Sequence, residues 1–251
     1  MKNLKQKIKE KNFNNKFSLK LLNAERHFNN IYKVCSFKFE KGCGSYLFDG
    51  KTYDYQIETY AKQKLLFEKS KNKKNILEIG SYMGHSLLIM LLANPRARIT
   101  CIDINDEFSM PAINYIQKKF PLSKITFIKG SSLKILKKIE KKFDFFHVDG
   151  AHKNKIVTKE FYLCMNIIKT KNIEFVFDDV DNIQTLIKNI KSTYKIINQI
   201  TPNCVNRNQY IYLSFPENKF IFYIKLIFLK TKNLISYIKL KFLKLIFFRK
   251  L

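Results

Sequence analysis

Acidic residues are scarce in this chain, 20 against 47 lysines and arginines, so their placement carries information. Five of them, Glu78, Asp103, Asp149, Asp178 and Asp179, lie at or near the ends of short apolar runs that read as buried strands. A carboxylate at the end of a buried strand needs a partner or a ligand. Asp103, 23 residues beyond Gly80, stands where an acid can accept both hydroxyls of a ribose, or else cap the next helix. Asp149, Asp178 and Asp179 would lie at neighbouring strand ends. Like charges that close raise one another's pKa unless a cation sits between them. A hard divalent ion with oxygen ligands, Mg²⁺ or a similar ion, answers that need and could acidify a substrate hydroxyl. The competing reading makes Asp178 or Asp179 a helix cap. His152, three residues after Asp149, can serve as general base, or lie on the surface at a helix start. His85 sits on the first turn of a helix beside a glycine turn, within reach of a ligand, whereas His147 lies inside a strand and reads as packed or capping.

The elements that must position these groups centre on residues 75–86. Ile76, Leu77 and Ile79 form a short apolar strand, Gly80 and Gly84 make a tight turn, and Leu87 to Leu92 continue as a helix. Such a turn lets a ligand approach the backbone, and the helix start offers free N–H groups and a positive dipole end. That is a nucleotide-type site. The spacing is acidic-x-Gly-x-x-x-Gly (Glu78, Gly80, Gly84), and the G-x-G-x-x-G of dinucleotide folds is incomplete.

Further strands are expected over 98–104, 125–128, 143–148 and 173–177, with two more over 194–200 and 209–215. Helices are expected over 53–70, from the glycine turn to about 93, over 111–120, from Ser131 and Ser132 to near Lys142, and over 153–169 and 182–191. Alternating strands and helices predict an α/β fold with a mainly parallel sheet covered on both faces. Ligands in such sheets sit at the carboxyl ends of the strands, where the five acids fall.

The 251 residues suffice for one sizeable α/β domain, read here as 53–217, with an N-terminal extension over 1–52 and a distinct tail over 218–251. The first 45 residues are basic and partly helical in pattern, and Gly42 to Ser45 read as a turn. The net charge of +27 invites a nucleic-acid reading, but lysine far outnumbers arginine, and Asn, Ile and Phe are abundant, as AT-rich coding produces. An anionic surface stays open as a partner. Cysteines 35, 43, 101, 164 and 204 show no CxxC spacing, which argues against zinc and against a disulfide framework. Cys101 and Cys164 read as buried thiols, and a reducing cytoplasm fits best. No secretory signal and no long uncharged apolar stretch is evident.

Glu-Ile-Gly-Ser-Tyr-Met-Gly-His-Ser, Cys-Ile-Asp, Phe-Asp-Phe-Phe-His-Val-Asp-Gly-Ala-His and Phe-Asp-Asp-Val occur in this order. Over about residues 54–215 the set resembles the class I S-adenosylmethionine-dependent methyltransferases, in the branch of cephalosporin-hydroxylase-like proteins and catechol-type O-methyltransferases. The resemblance implies a Rossmann-like doubly wound sheet with an antiparallel last strand. It implies that S-adenosylmethionine is held by Glu78, Gly80, Ser81, Gly84, Asp103, Ser131 and Asp149, with Ser131 or Ser132 facing the adenine where many relatives carry an acid. Asp149, Asp178 and Asp179 fall on the Mg²⁺ ligands of metal-dependent relatives, so Asp149 joins His152 as a catalytic candidate. The catechol-type lysine base is replaced by His152. The usual Pro-Gly-Gly before the fifth strand is replaced by Lys171-Asn172-Ile173.

The expected activity is therefore methyl transfer to a hydroxyl of a small molecule or sugar. Two other classes stay open, a nicotinamide-dependent oxidoreductase on a similar fold and a non-enzymatic basic protein binding nucleic acid or membrane. The first lacks its full glycine motif, and the second lacks an aromatic RNA-reading motif. After Glu217 the tail mixes Phe, Ile, Leu and Lys without an acid. It could lie on an anionic membrane at the inner face of the cell, or pack as helices on the domain or on a second subunit.

Overall fold

The structure is a computed structural model, and it describes residues 2–41, 46–48, 50–203 and 210–216. The turn at 42–45, Cys43, Cys204 and the tail over 218–251 lie outside the described residues.

Three short helices come first, α1 (Leu4–Glu10), α2 (Lys16–Asn23) and α3 (Glu25–Val34). The Asn15 side chain caps α2 by accepting from the backbone N–H groups of Phe17 and Ser18, each at 3.1 Å. A 3₁₀ turn (Ile57–Thr59) and α4 (Tyr60–Ser70) lead into β1 (Asn75–Ile79). Then follow α5 (His85–Ala93), β2 (Arg98–Asp103), α6 (Ser109–Lys119), β3 (Lys124–Lys129), α7 (Ser132–Ile135), β4 (Phe145–Val148), α8 (Asn154–Met165) and β5 (Asn172–Phe177). A second 3₁₀ turn (Val180–Ile183), α9 (Gln184–Thr193), β6 (Asn198–Ile200) and β7 (Ile211–Pro216) complete the described chain.

The seven strands stand in the order β3-β2-β1-β4-β5-β7-β6. β1 to β5 run parallel, and β7 is antiparallel to both β5 and β6. This is the doubly wound, mostly parallel sheet that the alternating pattern predicts. Every residue of β1 is buried, as a central strand covered on both faces must be. Edge strand β3 instead exposes Lys124 and Lys129.

Side-chain alternation splits the core in two. Ile76 and Phe145 point into a layer made with α1 to α6, while Leu77, Phe146 and Phe175 point into a layer made with α8 and α9. The second layer is aromatic: the Phe146 and Phe175 rings stack at 4.6 Å, and Phe175 and Phe177 at 5.2 Å. The three N-terminal helices contribute Leu4, Ile8, Phe17, Leu21, Phe28 and Ile31 to the first layer, each buried.

Several boundaries differ from expectation. The helix expected to reach Lys142 stops at Ile135. Continued further, the helix would stack Lys137, Lys138, Lys141 and Lys142 on Lys134 as like charges at helical spacing. Strand β4 starts at Phe145, because the Asp144 carboxylate accepts from the backbone N–H groups of Lys74 and Asn75, both at 3.0 Å, and so clamps the entry to β1. β6 shrinks to three residues because Tyr194 still caps α9 and packs its ring 4.7 Å from Phe215.

Candidate active site

The chain leaves β1 and returns beside it as β4, so the carboxyl ends of these two neighbours open a crevice. Gly80 forms the turn at φ +85°, and its N–H donates to the Ile102 carbonyl at 2.9 Å. A Cβ on Gly80 would stand 2.1 Å from the Asp149 carbonyl oxygen. The loops after β1 and β4 therefore touch backbone to backbone, and only glycine fits. Gly84, at φ +68°, caps α5.

Asp103 ends β2 and turns its carboxylate onto this turn. Its Oδ2 accepts from the N–H groups of Ser81 at 2.8 Å and Tyr82 at 2.9 Å, and its Oδ1 accepts from Asn105 at 3.0 Å. The same residue thus braces the turn and faces the crevice, whose volume is about 1560 Å³. Gly80, Ser81, Asp103, Ser131, Asp149, His152, Asp178 and Asp179 all line that one space, and so does His85.

Glu78 and Gly84 are not among its walls. Glu78 is fully buried and already satisfied, which corrects the expectation that it orients a ligand. Its carboxylate accepts from Ser86 Oγ at 2.5 Å, meets His147 Nδ1 at 3.2 Å and takes the Cys101 thiol at 3.4 Å. It therefore ties β1 to α5, β2 and β4 beneath the turn. His85 is buried too, hydrogen-bonded to Tyr53 Oη at 3.0 Å, and burial pushes its pKa down to about 3, so it is neutral at physiological pH.

The three aspartates at the other end are not equivalent. Asp149 carries the raised pKa expected of a carboxyl crowded by burial and by Asp178, with Lys62 acting in the opposite sense. Asp178 accepts from Lys62 Nζ at 2.6 Å. Asp179, at φ 52°, pairs with His152 Nδ1, and that hydrogen bond raises the imidazole pKa.

A divalent ion would need these carboxylates to converge on an open space. Among the described residues no group of three or more His, Cys, Asp or Glu side chains forms such a centre. The ammonium of Lys62 lies between α4 and the strand ends instead, and Asp179 is committed to His152. The donor set as arranged does not fit the metal that the spacing suggested.

Sequence reasoning missed Lys62 and Glu160. Lys62 comes from α4, 116 residues before its partner Asp178, and one lysine among so many basic residues gives no signal. Glu160 was legible: it is a scarce acid on the apolar stripe of α8, between Val157, Phe161 and Cys164. It lines the crevice, is 1 % exposed, and accepts from Ser132 Oγ through Oε1, while Oε2 has no partner among the described residues. Burial holds its pKa up.

A family model for O-methyltransferases matches residues 58–190, more than half of the chain. Caffeoyl-CoA O-methyltransferase of Zinnia elegans is 39% identical over 90 residues, covering 33% of this chain and 37% of the relative. Caffeoyl-CoA O-methyltransferase 1 of Eucalyptus globulus is 38% identical over 89 residues, covering 33% and 36%. The chain thus spans little more than a third of the curated relatives it matches. Among solved structures, O-methyltransferase TomG of Streptomyces achromogenes, in complex with S-adenosylmethionine, superposes with a TM-score of 0.56 at 14% identity, covering 80% of this chain and 96% of that one. The Bacillus cereus O-methyltransferase with bound S-adenosylhomocysteine gives 0.55 at 14%, covering 77% and 91%. At that identity the likeness establishes the fold.

Proposed function

The chain belongs to the O-methyltransferase family, and we propose that it transfers the methyl group of S-adenosylmethionine to a hydroxyl of a small molecule or sugar. When bound, that cofactor supplies an electrophilic methyl on a sulfonium sulfur. The observation that carries the reading is that one crevice joins a glycine turn with an acid-ended second strand to a histidine–aspartate pair.

The residues divide the work along the crevice. Gly80 lets the loops after β1 and β4 close backbone to backbone, and the start of α5 presents free N–H groups beside that turn. Ser81 offers a buried hydroxyl there, beside the Cys101 thiol. Asp103 would take the ribose hydroxyls, on the bank it already braces. Ser131, Ser132 and Glu160 sit where the adenine would lie, and Glu160 supplies the carboxylate that Ser131 lacks. At the opposite end, Asp179 takes the Nδ1–H of His152 and leaves Nε2 to receive the hydroxyl proton. The imidazole's raised pKa makes it a stronger base. Most of the rate gain would come from holding the two reactants in line.

Titration calorimetry with S-adenosylmethionine, S-adenosylhomocysteine and NAD tests this. Micromolar binding of both adenosyl compounds without NAD binding is expected. Binding of NAD with no affinity for S-adenosylhomocysteine would move the protein to the oxidoreductases.

A further inference from the structure

Three aspartates at the ends of β4 and β5 act on one another through their charges, and the fold must offset their repulsion. Lys62 does so from α4. Its Nζ lies 2.6 Å from Asp178 Oδ2, and the two side chains are only 13% and 5% exposed. The same ammonium rests 4.6 Å above the centre of the Tyr46 ring and 5.9 Å from that of Tyr210, so aromatic faces close its other side. Burial alone would lower its pKa, but Asp178, Asp149 and Asp179 together outweigh burial and keep it charged.

We propose that Lys62 is the resident cation of this site, standing where a divalent ion would otherwise bridge Asp149, Asp178 and Asp179. A metal ion approaching those oxygens would meet a fixed positive charge already within hydrogen-bond distance of one of them. An ammonium has three N–H donors, and among the described hydrogen bonds Asp178 takes one. Lys62 can give another to the acceptor oxygen as its proton passes to His152. It thereby holds developing negative charge without a Lewis acid. This last step rests on the methyl-transfer reading; the exclusion of a metal does not.

The test is Mn²⁺ titration of the full chain, followed by electron paramagnetic resonance and calorimetry, for wild type, Lys62→Met and Lys62→Arg. Wild type and Lys62→Arg should bind no Mn²⁺ below about 1 mM. Removing the charge in Lys62→Met should tighten binding at least about tenfold, and adding Asp178→Asn should abolish the gain. Retained S-adenosylhomocysteine binding reports that the Met variant is folded. Micromolar Mn²⁺ binding by wild type that Asp149→Asn removes would overturn the proposal, and that measurement stands even if Lys62→Met does not fold. A folded Lys62→Met that gains no Mn²⁺ site would overturn it equally. A wild type that excludes Mn²⁺ and also ignores S-adenosylhomocysteine would support Lys62 as the cation while removing the methyl-transfer reading.

Discussion

The two ends of the crevice are built by different means. At the β1–β2 end the backbone does the work. Gly80 touches the Asp149 carbonyl region, and two loop amides point at Asp103. At the β4–β5 end side chains do it, with Lys62 brought from α4 to Asp178 and His152 turned onto Asp179. Backbone construction is rigid and tolerates almost no substitution. Side-chain construction balances charge and can be altered one group at a time. The first end therefore suits a ligand of fixed shape, and the second suits a group whose charge or proton must be balanced.

The strongest way to break this contrast is Gly80→Ala. The new methyl would meet backbone at 2.1 Å in a conformation that L-residues avoid, so the two loops must part. A loss of several kcal/mol is expected, with a much lower melting temperature and no measurable cofactor binding. Near-normal binding of S-adenosylhomocysteine by this variant would show that the turn is not rigid. Next in size is His152→Gln. It should slow methyl transfer about 10²- to 10⁴-fold while cofactor affinity stays within about twofold, because the proton loses its acceptor but the other end is untouched. Asp103→Asn should do the reverse, weakening S-adenosylhomocysteine about 10- to 100-fold by calorimetry, since a charged acceptor is lost. If His152→Gln and Asp103→Asn gave the same pattern, the two ends would not be separate.

The same contrast explains what the sequence could reveal. A backbone-built end leaves its mark as glycines at fixed spacing and an acid at a strand end, all readable in a window of about thirty residues. The mainly parallel sheet follows as well, because alternating apolar runs and helices force crossovers. The side-chain end depends on pairings that have no sequence period. Asp149, Asp178 and Asp179 were visible as acids, but Lys62 was hidden among lysines of no individual meaning, and without it the trio suggested a metal. Glu78 misled for another reason: it belongs to the glycine motif, yet strand alternation turns it inward to Ser86, Cys101 and His147. The elements misjudged in length, α7 and β6, are those whose ends are set by charge repulsion or by a distant ring contact.

The smallest expected effect falls where the two modes of construction meet, at Glu160. Its side chain is buried in the α8 layer and lines the crevice, and one oxygen has no hydrogen-bond partner among the described residues. Burial raises its pKa above the ordinary glutamate value, so the ionised form is less favourable in the folded chain than in the unfolded one. The resulting penalty is present at neutral pH and disappears as pH falls through the raised pKa toward the unfolded value. Glu160→Gln removes it, and should raise the melting temperature at pH 7 by a few degrees, with a smaller gain at pH 5. The same change should weaken S-adenosylhomocysteine by about 1 kcal/mol, roughly fivefold, because the amide puts an NH₂ donor where one of the two carboxylate oxygens accepted. Stability and affinity moving in opposite directions would mark Glu160 as a ligand group held at a cost to the fold. A variant that loses both would make it a structural brace for α8, and would assign the adenine end of the crevice to backbone alone.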